Sequence, residues 1–145
     1  MRQSPGALAP APRPIPMIAV DTNVLVRFVT NDEPAQARRA AALFAAHEIR
    51  IPKTALLECE WVLRYAYALP REAIASAFRA VLGLPGVSVE DPNAAAQAIA
   101  WFEKGMDFAD ALHLASSGRV ERFASFDARL IERARRLSAV PVAEP

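Results

Sequence analysis

The sequence contains one cysteine, Cys59, so no disulfide can form within the chain. Its two histidines, His47 and His113, make no zinc pattern with that lone thiol. Only five of the 145 residues are glycine, and they form no glycine-rich phosphate loop. No apolar run approaches the roughly 20 residues that span a membrane. The opening residues lack the apolar core of a secretory signal. The chain therefore reads as soluble and cytoplasmic. Lysine is scarce: of 17 basic residues only Lys53 and Lys104 are lysine. Arginine suits bidentate contact with phosphate, but a chain rich in both alanine and arginine is more simply explained by a GC-rich genome. A net charge of +1 leaves no basic footprint.

What is present is a globular composition, 53% hydrophobic and 23% charged. A chain this long buries roughly 68–70% of its unfolded surface, enough for one domain with a real core. Residues 1–16 hold five prolines, Pro5, Pro10, Pro12, Pro14 and Pro16, and no periodicity. They read as a flexible Pro-rich tail ahead of a domain at 17–145. Within that domain apolar runs predict short strands at 17–20, 49–51, 87–89, 123–126 and 140–142. Helical spacing predicts helices at 22–30, 34–46, 54–67, 71–82, 92–104, 107–117 and 127–137. Pro34 and Pro92 suit first helical positions, Thr54 and Asp91 suit caps, and Gly105 and Gly118 suit helix ends. Strands alternating with helices predict a parallel α/β sheet covered on both faces.

The stretch from Met17 to Arg27 organises the rest. A short apolar run ends in Asp21, which reads as a buried parallel strand with an acid at its carboxyl end. Open α/β sheets gather ligands there. Most of the other acids have ordinary explanations. Glu60 has Arg64 four residues on, a common helical ion pair. Glu72, Glu103, Glu121 and Glu132 read as solvated, and Asp91 as a cap. Glu58 differs, because Thr54, Ala55, Trp61 and Val62 surround it on its helix and none is a cation. It is either a costly carboxylate on an apolar face or a rim residue that reaches water. Asp21, Asp107, Asp110 and Asp127 all fall at or near helix starts, where capping alone would account for each. Brought to one edge, such acids would repel one another. A divalent cation reverses that penalty, and oxygen-only ligands favour Mg²⁺ or Mn²⁺.

The blocks Ile18-Ala19-Val20-Asp21-Thr22-Asn23-Val24-Leu25-Val26-Arg27, Leu57-Glu58-Cys59-Glu60-Trp61-Val62-Leu63-Arg64 and Asp107-Phe108-Ala109-Asp110-Ala111-Leu112-His113-Leu114-Ala115 resemble the PIN-domain ribonucleases. Within these they are most similar to the VapC-type toxins of toxin–antitoxin pairs. A weaker block is Ala124-Ser125-Phe126-Asp127. The resemblance implies a PIN-like, Rossmann-like three-layer α/β/α fold with a short central parallel sheet. It implies that Asp21, Glu58, Asp110 and Asp127 bind metal and are catalytic. Thr22, Asn23, Asp107 and Ser125 would stand behind them and orient them. The cofactor implied is Mg²⁺ or Mn²⁺. The activity implied is endoribonuclease cleavage of RNA phosphodiester bonds by a metal-activated water, leaving 5′-phosphate and 3′-hydroxyl ends. The implied partners are RNA, a VapB-like antitoxin that occludes the site, and a second copy in a homodimer, with no membrane.

Arg27, Lys53 and Arg129 lie nearest the acids in sequence and are candidates to grip RNA. The apolar faces of helices 22–30, 34–46 and 54–67 could receive an antitoxin or a second copy. One alternative is a catalytically silent PIN-like binding module whose acids only cap helices. Another is a haloacid-dehalogenase-like phosphatase, which would need a second aspartate where Asn23 stands. Deleting residues 1–16 is expected to leave the melting temperature unchanged, and a large drop in a thermal melt would refute the tail assignment.

Overall fold

The computed structural model describes residues 6, 8–10 and 16–145. The expected Pro-rich tail falls largely outside them. The elements run β1 (Met17–Ala19), α1 (Thr22–Thr30), α2 (Pro34–Ala46), β2 (Glu48–Ile51), α3 (Lys53–Tyr65), α4 (Arg71–Leu82), β3 (Val87–Val89), α5 (Pro92–Glu103), α6 (Phe108–Ser116), β4 (Phe123–Ala124), α7 (Ala128–Leu137) and β5 (Val142–Ala143). β1, β2 and β3 form a parallel sheet in that order, with Ile18 beside Ile49 and Ile51 beside Val89. Helices cover it in a three-layer α/β/α fold.

The expected single sheet is divided. β4 and β5 pair in parallel with each other, apart from the other three strands. Both are shorter than their apolar runs suggest. Ser125 Oγ accepts the Asp127 N–H at 3.0 Å and turns the chain toward α7, leaving Phe126 82% exposed. Ser138 Oγ likewise takes the Val140 N–H at 3.2 Å, and β5 begins only at Val142. β1 is not a fully buried strand either. It is an edge of the sheet, and its Met17 is 52% exposed.

Helix limits follow local chemistry. Asp21 caps α1, and Asn31 ends it in the left-handed region at φ 55°. Pro34 and Pro92 stand at helix starts, where their missing N–H costs nothing. Thr54 is not a cap, because α3 already starts at Lys53 after Pro52. That helix stops at Tyr65, short of the expected 67. Ala68 sits at φ 51°, and the Leu69 N–H reaches back to the Leu63 carbonyl at 3.1 Å. Gly105, at φ 113°, lets α5 turn sharply into α6.

The core centres on Leu25, Ile49, Ile51, Leu56, Leu63, Phe78, Phe102 and Phe108. Phe108 lies 5.5 Å from Phe78 and 5.4 Å from Phe102, the latter edge to face, and so pins α6 to α4 and α5. Arg71 of α4 strengthens the same corner. Its Nη1 donates to the Phe102 and Met106 carbonyls at 2.6 and 2.7 Å, with its guanidinium 4.6 Å above the Phe102 ring. Phe108→Ala is expected to cost about 3–5 kcal/mol in urea unfolding, whereas the exposed Trp61→Ala should stay within about 0.5 kcal/mol.

Candidate acidic site

The ladder between β1 and β2 continues to the residue before the first acid. Val20 is buried, and its N–H meets the Arg50 carbonyl at 3.2 Å. The chain then emerges at Asp21, whose Oδ1 accepts the Thr22 N–H at 2.7 Å. Thr22 Oγ1 donates to Glu58 Oε2 at 2.7 Å, tying the start of α1 to the middle of α3. Asp21, Thr22, Asn23 and Glu58 line one cleft of about 440 Å³ with Val62 and Tyr67. Of the two readings of Glu58, the rim position is the one observed, since the residue is exposed.

A second group forms around the start of α6. Asp107 is its N-cap, with Oδ2 accepting the Asp110 N–H at 3.2 Å and Oδ1 facing Arg64 Nη1 at 3.4 Å. Asp110 is half-buried in the first turn. Burial is the main reason its carboxyl titrates above the ordinary range. The charges of Asp107 and Asp127 push the same way, and His113 opposes them. Asp127 caps α7, its Oδ1 taking the Arg129 and Leu130 N–H groups at 2.9 and 3.2 Å. Ser125 braces the Asp127 backbone, as described above.

Two groups therefore stand on the protein: Asp21 with Glu58 through Thr22, and Asp110 with Asp107 and Asp127. α3 belongs to both, presenting Glu58 to one and Arg64 to the other. Among the described residues no three His, Cys, Asp or Glu side chains are gathered so as to hold one ion. The capping explanation holds for Asp21, Asp107 and Asp127, each of which accepts a backbone N–H at its own helix start.

Capping nevertheless leaves these carboxylates unequal. Asp21 Oδ2, Glu58 Oε1, Asp127 Oδ2 and both oxygens of Asp110 accept no hydrogen bond among the described residues. Asp107, by contrast, has both oxygens engaged. Bare carboxylate oxygens are donors that suit a hard divalent cation, and Asp110 also feels the like charge of Asp127.

The nearby cations differ as well. Arg27 is held by Asp32 at 3.2 Å, Gln36 at 2.8 Å and Tyr67 at 3.0 Å. Lys53 is held by Asp91 at 3.3 Å and Ser116 at 3.1 Å. Arg129 is exposed and has no ion pair among the described residues. Glu60 makes the expected helical ion pair with Arg64, at 3.1 Å, but makes it inside the protein. It is 1% exposed, and burial raises its pKa despite the opposing charge of Arg64. The signal was available: its neighbours at one helical turn are Leu56 and Leu63, both core residues.

The fold is a small α/β domain that carries two acidic groups, one where β1 meets α3 and one at the starts of α6 and α7. Residues 18–137 match the PIN domain family, so the chain belongs to the PIN domain family. The PIN domain is generally a metal-dependent nuclease fold. No curated protein and no solved structure matches the chain.

The raised pKa of Asp110 means that its charged form opposes folding. Asp110→Asn is thus expected to raise the melting temperature of the metal-free protein at pH 7. The gain should shrink as pH falls through the raised pKa toward the ordinary value of 3.8, where the wild-type carboxyl is itself protonated. Thermal melts at several pH values check this, and an equal gain at all pH values would contradict it.

Proposed function

We propose that the chain is a Mg²⁺- or Mn²⁺-dependent endoribonuclease of the VapC type, the toxin of a toxin–antitoxin pair. The observation that carries this reading is the set of carboxylate oxygens left without protein partners on Asp21, Glu58, Asp110 and Asp127. These are the acids at the family's metal-binding positions. The working unit is the domain at 17–145, and its place is the cytoplasm.

In this reading the four acids would hold the metal, Asp21 with Glu58 from one group and Asp110 with Asp127 from the other. Thr22 sets the Glu58 carboxylate relative to Asp21 through its 2.7 Å bond. Asn23, exposed beside Asp21, is within the same cleft to orient a ligand. Asp107 holds the first turn of α6, and Ser125 holds the turn that delivers Asp127. A bound divalent ion would supply an acidified water and positive charge against the phosphate oxygens. Asp110 must be ionised to act as a donor, so metal affinity falls with pH from a higher starting point than for an ordinary carboxylate. Arg129 is the basic residue best placed to meet the RNA backbone, being exposed two positions after Asp127.

A cleft of about 620 Å³ between α1 and α2 supports the antitoxin part of the proposal. Val24, Ala40 and Leu43 give it apolar walls, and Arg27, Arg39 and His47 give it a basic rim. Asn23 and Arg27 line both this cleft and the one beside Asp21. A VapB-like segment seated here would lead directly to the acids. Trp61 and Tyr65, exposed on α3 and 5.6 Å apart, suit a second copy in a homodimer.

One observation favours the alternative of a silent binding module: Asp21, Asp107 and Asp127 already serve as helix caps. Sequencing of RNA ends after expression of wild type and Asp21→Asn separates the two. New 5′-phosphate ends that vanish with Asp21→Asn or excess EDTA are expected, and Thr22→Val should cut the rate about ten- to a hundredfold. Cleavage that survives EDTA would overturn the nuclease reading, and absence of cleavage in wild type would favour the binding module.

A further inference from the structure

Glu60 is the one charged residue buried among the described residues. Arg64, one turn along α3, lies against it on two sides. Nη2 donates to Oε2 at 3.4 Å, while Nε and Oε1 make a 3.1 Å ion contact without hydrogen-bond alignment. The third nitrogen, Nη1, leaves the helix and reaches Asp107 Oδ1 at 3.4 Å. The other oxygen of Asp107 accepts the Asp110 N–H at 3.2 Å. The contacts thus run unbroken from a core carboxylate to the backbone of Asp110. Each guanidinium edge faces an acid, and the group also lies 4.7 Å over the Tyr65 ring.

A surface ion pair would not need this arrangement. An arginine held by a buried, nearly rotationally fixed carboxylate loses little freedom when it also grips a third group. A free arginine would have to be ordered first. Glu60 itself touches none of the carboxylates with bare oxygens, so its burial has no direct use at the acidic edge.

We propose that Glu60 and Arg64 form a positioning device. The buried carboxylate aims the arginine, the arginine holds the Asp107 cap, and the cap sets the first turn of α6 that presents Asp110. The effect on metal rests on the nuclease reading above, whereas the effect on α6 does not.

The experiment compares wild type, Arg64→Met, Asp107→Ala and the double variant, all as the full chain. Hydrogen exchange at the Asp110 amide is followed by NMR, and Mn²⁺ affinity by calorimetry. Arg64→Met is expected to speed exchange at Asp110 roughly tenfold or more, in line with loss of a charge-assisted bond. Amides of α4 should not change. In the Asp107→Ala background Arg64→Met should add nothing further, because both changes break one chain of contacts. Arg64→Lys should restore part of the protection. If Arg64→Met does not fold, Glu60→Leu with Arg64→Met removes both charges and carries the same test. Unchanged Asp110 exchange, or losses that simply add, would overturn the proposal. Wild type that binds no Mn²⁺ would count against the nuclease reading alone, and the exchange data would still judge the positioning device.

Discussion

A carboxylate taken out of water must find a cation or give up its charge. Glu60 meets that constraint in the middle of α3, and much of the acidic edge is arranged around the answer. Leu56, Cys59 and Leu63 seat the same helix in the core. Arg64 lies against the buried carboxylate and reaches over to α6. With α3 seated this way, Glu58 emerges at the rim, where the Thr22 hydroxyl meets it. One helix therefore sets the relation between the end of β1 and the start of α6, two parts of the chain more than eighty residues apart.

The acids sort by how fully their oxygens are engaged. Asp32 takes the Tyr67 hydroxyl on one oxygen and Arg27 with Thr30 on the other. Its pKa is lowered, chiefly by that tyrosine. Asp91 caps α5 with one oxygen and meets Lys53 with the other. These are architectural carboxylates, with both oxygens engaged by the protein itself. Asp110 is the opposite case, raised by burial and by like charges nearby. A fold that leaves such a group poorly compensated keeps electrostatic free energy available to a cation.

Much of this was legible from the residues. The helices at Thr22–Thr30, Pro34–Ala46 and Arg71–Leu82 begin and end as their prolines, caps and apolar spacing predict. Asp21, Asp107 and Asp127 stand at helix starts as expected. What stayed hidden depended on tertiary packing. Glu58 and Glu60 are two residues apart, about 200° around a helix, so one must face away from the other. Leu56 and Leu63 mark the Glu60 side as the inner one, but how completely it closes depends on α1, α4 and α6 packing against α3. The edge position of β1 is equally a property of strand order. The shortened β4 and β5 trace to serine hydroxyls competing with the strand ladder, a local effect that apolar periodicity does not register.

The lone thiol has a practical corollary. Cys59 is fully enclosed, and burial, with the neighbouring Glu60 charge, pushes its pKa up to about 12. At neutral pH the thiol is therefore protonated and the reactive thiolate is scarce. Oxidants and alkylating reagents thus have almost nothing to attack. A cysteine engineered onto any outer position would react alone, so a fluorophore or spin label could follow this domain without removing the native residue.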